Sequence, residues 1–433
     1  MEFNYAAIKQ LAKDTGRRVS DLIALAPQND PFYAGTPGDW KLGEWFAEFY
    51  HANFAPGTKV HLRRCHYKVL SLELSFPDGL PYLNTDTCWD RLNAASKNAR
   101  YLGLVDVDLI EDKKNAEPQS FDYSYVAEPE INISSVPAEY ELGMPDFPDA
   151  PNYSVDAYQG AQAYHLELWI EKQTMNDVLL PLCQRYGMTL QTGAGELSIT
   201  ATRALARRIE EAGKPTRVLY ISDYDPAGQS MPAAVSRKLE YFIRNYQLEV
   251  DVKLFPAVLT AAQCQRYSLP RTPIKESEKR KDSFEARHGA GATELDALEA
   301  LRPGELERIL RGYIESYYDT TLDQRVRNAR RELERNLYTI RSEVVEQYED
   351  QIEEARAELA ELRNDPRIQA YIDHVRQIWQ DMSNDMQARM LDLDEYTVPE
   401  PRQAREIGPG LYNSERSYLD QIDAYKQFQG KQQ

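Results

Sequence analysis

The sequence predicts an α/β protein: a mostly parallel, Rossmann-like sheet flanked by helices, with a small helical module before it and a long-helix region after it. Three observations lead there. Between residues 164 and 258, β-rich runs alternate with helical runs, a rhythm that demands βαβ crossovers and so parallel strands. Upstream, 58–110 holds two helical patterns separated by a Pro77-Asp78-Gly79 turn. Downstream, 305–363 repeats apolar residues three and four apart, among them Leu322, Val326, Leu333, Leu337, Ile340 and Val344, the pattern of a coiled coil or helical hairpin.

Taken in order, 1–55 reads as a helical region with a Pro/Gly-rich interruption, PQNDPFYAGTPGD (27–39). A helix from about Trp40 to Tyr50 carries Trp45, Phe46, Phe49 and Tyr50 at helical spacing, which marks core rather than a ligand box. Residues 56–110 form the next unit. One helix spans HLRRCHYKVLSL (61–72). A second spans TCWDRLNAASKNARYLG (87–103), with Thr85 or Asp86 as N-cap and Gly103 as stop signal. LVDVDLI (104–110) alternates like a strand. Helix, helix and strand in that order is the pattern of a winged helix, a DNA-docking unit.

Residues 111–160 are rich in Pro, Tyr, Asp and Glu and read as an acidic linker with short strands. The sheet region, 161–312, has strands at 164–170, 188–193, 216–222 and 250–258, with helices between them. The coiled-coil region is 313–395, interrupted at Asn364-Asp365-Pro366. Residues 396–433 are polar and read as a loosely held tail.

Composition excludes several classes. A hydrophobic content of 42% is too high for a disordered chain. No apolar run is long enough for a membrane span, so no membrane partner is expected. Cys65, Cys88, Cys183 and Cys264 are scattered, with no CxxC pair, which argues against a zinc knuckle and favours a reduced, cytoplasmic setting. A net charge of −18 excludes a protein coated in nucleic acid. It leaves room for local basic sites, and two groups stand out: His61, Arg63, Arg64, His66 and Lys68, then Lys275, Lys279, Arg280 and Lys281. Either group could equally be a solvated face.

Ligands of open α/β sheets bind at the carboxyl ends of strands. Glu171 follows the first strand, and Asp223 and Asp225 follow the third in ISDYDPAG (221–228). Such acids repel one another unless a cation sits among them. Oxygen ligands few in number suit Mg²⁺. Asp-x-Asp before Pro and Gly is also an ordinary turn after a strand. The pairing with Glu171 is what points to a metal.

These motifs resemble the Toprim domain of the topoisomerase VI A subunit and of the related meiotic double-strand-break transesterases. The likeness covers about 164–310. It rests on Glu171-Lys172, TGAG (192–195) with Thr202-Arg203, ISDYDPAG, LTAAQCQRYSLP (259–270) and TELDALEALRPGEL (293–306). In the last of these Glu294 and Asp296 are the candidate additional acids, unless they are only helix N-terminal acids favoured by the dipole. The upstream module also resembles this family, whose DNA-cleaving tyrosine lies four residues after an arginine, as Tyr67 follows Arg63 here. The sequence departs from the family at His66, where an aromatic residue or tyrosine often stands.

The resemblance implies Tyr67 as nucleophile and Glu171, Asp223 and Asp225 as Mg²⁺ ligands. A phenol titrates near pH 10, so it needs a cation to activate it. Arg63, Arg64, His66 and Lys172 are candidates, and Arg64, His66 and Lys68 are expected to touch DNA. Double-stranded DNA, a homodimer and a separate ATPase subunit follow from the same likeness, since no Gly-rich ATP-binding motif is present. Two alternatives stay open. The chain could be a Toprim metal-dependent DNA nuclease, with metal-bound water as nucleophile and Tyr67 structural. It could also be a catalytically silent DNA-binding scaffold.

Overall fold

In the computed structural model, which describes residues 5–111, 117–121, 127–134, 147–193, 199–362 and 368–430, the chain starts on helix α1 (Tyr5–Thr15). Short 3₁₀ turns cover much of 19–33, and α2 (Pro37–Asn53) follows, capped by Thr36. Strand β1 (Val60–His61) leads directly into α3 (Leu62–Ser71). Helix α4 (Asp86–Tyr101) is capped by Thr85, whose hydroxyl accepts from Cys88 N at 3.3 Å. The aromatic residues Phe46, Phe49 and Tyr50 are buried with Leu92, Ala95 and Ala99, as their helical spacing predicts.

The structure differs from the sequence reading at 104–110. Asp106 accepts from Asp108 N at 2.9 Å and caps a 3₁₀ turn, so only β2 (Ile110–Glu111) is extended, and it pairs parallel to β1. The Pro77-Asp78-Gly79 turn instead closes a small hairpin between α3 and α4, with Phe76 N on Leu80 O at 2.8 Å and Tyr82 N on Leu74 O at 2.9 Å.

After β3 (Gln119–Ser120), an antiparallel hairpin forms from β4 (Glu130–Ser134) and β5 (Asn152–Asp156). Then come β6 (His165–Ile170), α5 (Asn176–Tyr186), β7 (Thr189–Thr192), α6 (Ile199–Ala212), β8 (Thr216–Ile221), α7 (Pro226–Asn245) and β9 (Val252–Val258). Helices α8 (Ala261–Arg266), α9 (Lys281–His288), α10 (Leu295–Leu301) and α11 (Glu305–Tyr317) follow. The remainder is α12 (Leu322–Gln347), α13 (Glu349–Leu362), α14 (Ile368–Ala388), β10 (Tyr412–Asn413) and α15 (Tyr418–Phe428).

The six-stranded sheet has the order β10-β9-β8-β6-β7-β3. The four inner strands are parallel, and β10 and β3 add antiparallel edges. Every residue of β6 and β8 is buried, as expected for strands covered on both faces. No helix among the described residues is long and apolar enough to cross a membrane.

Two units divide the chain. The first contains the described residues of Met1–Tyr123, Ala163–Tyr317 and Arg405–Gln433. Its core joins α1, α6, α7 and α15 to the sheet. The PQNDPFYAGTP stretch, which had no reading from sequence, is part of this core. Asp30 accepts from Ala24 N at 2.9 Å and from Arg237 Nε at 3.2 Å, and Arg237 also donates to Glu240 and to the Tyr418 hydroxyl. All of that cluster is buried.

The tail expected to be loose is likewise built in. Tyr412 and Asn413 pair with β9, while Tyr418, Ile422 and Tyr425 sit one helical turn apart and bury against the core. An i, i+4, i+7 apolar stripe explains this.

The second unit contains the described residues of Ser124–Gln162 and Tyr318–Ala404. The long helix expected to run to 363 breaks at Tyr348, whose N–H bonds Val345 O and whose hydroxyl donates to Asp385 at 2.6 Å. The Asn364-Asp365-Pro366 break lies outside the described residues. Val344, Ile352, Trp379, Met382 and Met386 form one buried cluster. Much of the expected acidic linker belongs to this unit. Arg330 donates to Val155 O at 2.9 Å, Arg341 to Pro151 O at 2.8 Å and Trp379 Nε1 to Asp149 O at 2.6 Å.

Candidate metal centre and nucleophile

Strands β6 and β8 are parallel neighbours, and Ile170 is in register with Ile221. Glu171 and Asp223 therefore leave the sheet at the same carboxyl end, side by side. The turn after β8 is held tightly. Asp225 caps α7 by accepting from Gly228 N at 2.6 Å, and Ser222 Oγ donates to Gly228 O at 3.0 Å. A Cβ on Gly228 would lie 2.1 Å from Asp223 O, so only glycine lets the helix start this close to the strand end.

A second segment is tied to the same turn. Tyr224 and Thr293 exchange backbone hydrogen bonds at 2.9 and 3.0 Å, and Leu295 N donates to Asp223 Oδ1 at 2.7 Å. This brings Glu294 and Asp296 to the acidic end of the sheet. Both also stand at the start of α10. Their place near Asp223 and their place at a helix start are therefore not exclusive of one another.

Lys172 sits among these carboxylates. Its ammonium is 2.7 Å from Asp223 Oδ2 and 3.6 Å from Asp296 Oδ2, and it donates to Glu294. Burial pulls the Lys172 pKa down, but the hydrogen bonds to Asp223 and Glu294 outweigh this and raise it. Burial pushes the Asp223 carboxyl up, against the lowering effect of Lys172 and of Leu295 N. Glu171 is also pushed up, first by burial and then by the charges of Asp223 and Asp225. The ends of two strands thus gather mutually repelling carboxylates, and one lysine supplies their counter-charge.

The donors are all carboxylate oxygens, the chemistry that a hard divalent cation prefers. As the side chains stand, no group of three His, Cys, Asp or Glu is arranged to hold a metal among the described residues. The charge and donor types at this end of the sheet fit such an ion. In the present arrangement Lys172 fills the role of cation.

The candidate nucleophile lies on α3. This helix buries Leu62, Cys65, His66 and Val69 and exposes Arg63, Arg64, Tyr67 and Lys68. Tyr67 is 65% exposed, one helical turn from Arg63 on the same face. Its hydroxyl has no hydrogen-bond partner among the described residues.

His66 differs from expectation. Its Nδ1 is 2.6 Å from the Tyr82 hydroxyl, and its ring packs edge-on to Trp89. His66 thus lies on the buried stripe of α3, and not on the exposed face that carries Arg64 and Lys68. Lys172, expected to help activate the phenol, is engaged with carboxylates. No hydrogen bond or ion pair joins the exposed face of α3 to the acidic cluster among the described residues.

Two residues of the TGAG motif, Ala194 and Gly195, lie outside the described residues. Thr202 is buried, and Arg203 stacks 4.0 Å from the Tyr246 ring and lies 3.7 Å from Asp108. Sequence reasoning missed the Tyr224–Thr293 bridge, which has no side-chain signature, and the central placement of Lys172. The adjacency of Lys172 to Glu171 was the only available signal. No known family model and no curated protein matches this sequence.

Proposed function

We propose that the chain is a DNA-cleaving transesterase of the topoisomerase VI A type, with winged-helix and Toprim modules, acting on double-stranded DNA as a homodimer. The gathering of Glu171, Asp223, Glu294 and Asp296 around Lys172 at the carboxyl end of a parallel sheet carries this reading. Exposed Tyr67 beside Arg63 supplies the nucleophile.

In the reaction, the exposed Tyr67 phenol gives up its proton to solvent water and its oxygen attacks a backbone phosphorus. The new O–P bond forms as the bond to a sugar oxygen breaks, and that oxygen takes up a proton. The phosphodiester energy is kept in the phosphotyrosyl link, so the strand can be rejoined. Arg63, with Arg64 and Lys68 on the same exposed surface, would hold the phosphate by charge-assisted hydrogen bonds. Glu171, Asp223 and Asp225 would hold Mg²⁺, which when bound stabilises charge on the phosphate and the leaving oxygen. Glu294 and Asp296 would keep Lys172 in place next to those ligands. Coupling to ATP would need a separate ATPase subunit.

A second reading, hydrolysis by a metal-dependent nuclease, is favoured by one observation: nothing among the described residues accepts the Tyr67 proton. Two variants separate the readings. Asp223→Asn abolishes cleavage in both. Tyr67→Phe abolishes it only in the transesterase, with a stability loss of no more than about 1 kcal/mol. Full cutting by Tyr67→Phe beside a dead Asp223→Asn assigns hydrolysis. Full cutting by both removes this site from the reaction.

A further inference from the structure

Helix α12 in the second unit presents one face to solvent along its length, and the cleavage reading gives that face no role. Its buried residues, among them Leu322, Val326, Leu333, Leu337 and Val344, lie on one side. On the opposite side Arg327, Arg331, Arg335, Tyr338, Ser342 and Glu346 follow one another at intervals of three or four, and all six are exposed. Tyr338, at 66%, is the most exposed large hydrophobic side chain among the described residues.

This face changes sign along its length. Its first half holds three guanidiniums four residues apart. Arg327 donates to Gln324 at 3.0 Å, and among the described residues no carboxylate is ion-paired to Arg327, Arg331 or Arg335. Arg325 and Arg330, which stand to either side, do have such partners, in Asp319 and Glu334. Past Tyr338 the sign reverses. Glu346 is followed by Glu349 and Asp350 at the start of α13 and by Glu353 one turn on, all exposed. No cation is ion-paired to any of these four among the described residues. Like charges at i, i+4 destabilise a helix slightly, so segregating the signs costs each half something that only an outside partner offsets.

The order of the charges decides what that partner is. A duplex, or an acidic protein segment, is drawn to the first half and repelled by the second; a basic segment meets the reverse. A surface that carries both halves in reverse order satisfies both, and a second copy of α12 running antiparallel is such a surface. Arg331 and Glu346 are equally far from the midpoint between Tyr338 and Thr339, about 11 Å along the helix axis. Arg335 with Ser342, and Arg327 with Asp350, share that midpoint. A two-fold axis there sets Arg331 of each chain against Glu346 of the other, Arg327 against the Glu349-Asp350 pair, and the two Tyr338 rings side by side.

We propose that this face of α12 docks on a second copy of the chain, antiparallel, about a two-fold axis beside Tyr338. It names a surface for the homodimer of the reading above and does not depend on cleavage. Each exposed ion pair contributes little by itself, so the contact is weak, sensitive to salt, and acts mainly to orient the two chains.

The test uses the full chain without DNA, in EDTA. Tyr338→Cys is treated with a short bis-maleimide and the joined peptides are mapped by mass spectrometry, with the wild type as control for the four native cysteines. The expected result is a covalent dimer joined through position 338 of both chains, with a yield that falls at about 0.5 M salt. Arg331→Glu or Glu346→Arg, added singly to Tyr338→Cys, turns two attractive facings into two repulsive ones and should lower that yield at least about 10-fold. Both reversals in one chain restore opposite charges across the axis and should return the yield to near that of Tyr338→Cys alone. These positions are exposed, so Tm by circular dichroism should stay near the wild-type value in every variant.

The proposal is overturned if position 338 forms no cross-link to itself, if either single reversal leaves the yield unchanged, or if the double reversal fails to recover it. A dimer seen by sedimentation but not cross-linked at 338 places the dimer contact elsewhere, which overturns this surface and leaves the cleavage reading, tested at Tyr67, untouched.

Discussion

Lys172 is the residue on which the acidic site turns. Its ammonium balances Asp223 and Glu294 while burial and neighbouring charge disfavour ionised Glu171 and Asp223. Lysine and a divalent cation are then alternative counter-charges for one set of carboxylates. Lys172→Met should lower Tm in EDTA, because it leaves Asp223 buried without its ion-pair partner. Added Mg²⁺ should restore more stability to this variant than it gives the wild type, since binding to the folded state alone stabilises it. A Mg²⁺-induced rise in Tm that is equal in the two proteins would separate the lysine from the metal site. At this scale the sequence was informative about chemistry and silent about contacts. Glu171, Asp223 and Asp225 could be named from their places after strands. That Glu294 and Asp296 join them depends on the Tyr224–Thr293 backbone bridge, which no side-chain pattern announces.

Strands and helices show the same division. The parallel strands and crossover helices were legible because buried β-runs and amphipathic helices have distinct periods. Helix α3 was legible as a helix, but which of its faces is solvated was not. His66 and Tyr67 are adjacent, and only packing against Tyr82 and Trp89 sends one inward and leaves the other out. Residues 104–110 alternate like a strand, yet the Asp106 cap turns them.

Strand β6 also carries a polar core that gives the fold a pH dependence. Glu167 is fully buried and accepts from Arg208 at 2.8 and 2.9 Å and from Trp169 at 2.7 Å, with His165 at 3.0 Å. Burial alone would raise its carboxyl, but Arg208 and His165 more than offset this and hold it down at about 2. A carboxyl lower in the folded than in the unfolded chain stabilises the fold above its unfolded value, near 4.3, and that stability is lost as pH falls towards 2. The contribution at neutral pH is on the order of 3 kcal/mol. Urea unfolding should show Glu167→Gln well below wild type at pH 7, with the gap closing between about pH 4.3 and 2. A gap independent of pH would mean that the ion pair with Arg208 does not set it.

For the molecule as a whole, the sequence divided the chain into consecutive domains, whereas the structure interleaves two units. The reason is physical: residues 147–158 look like a linker because they are polar and proline-rich, but their carbonyls are the partners of Arg330, Arg341 and Trp379. The tail likewise looks solvated until Tyr418 meets the buried Arg237.

Each unit has its own apolar core. Calorimetry should therefore resolve two transitions, and Trp379→Ala should lower only one of them, by about 3–5 kcal/mol for loss of a buried aromatic. DNA affinity should hardly change, since the outer faces of α12 and α13 mix both charge signs and offer no basic stripe. A single transition, or a matching loss of DNA binding, would contradict this division.

The measurement that bears most directly on the central claim is the chemical state of cut DNA ends. Supercoiled plasmid is incubated with the protein and Mg²⁺, denatured rapidly, and analysed with and without protease. A tyrosine transesterase leaves protein covalently attached to the ends, released as a peptide adduct that maps to Tyr67 and absent from Tyr67→Phe. Cut DNA with free ends in the wild type, or an adduct that persists in Tyr67→Phe, would contradict the account.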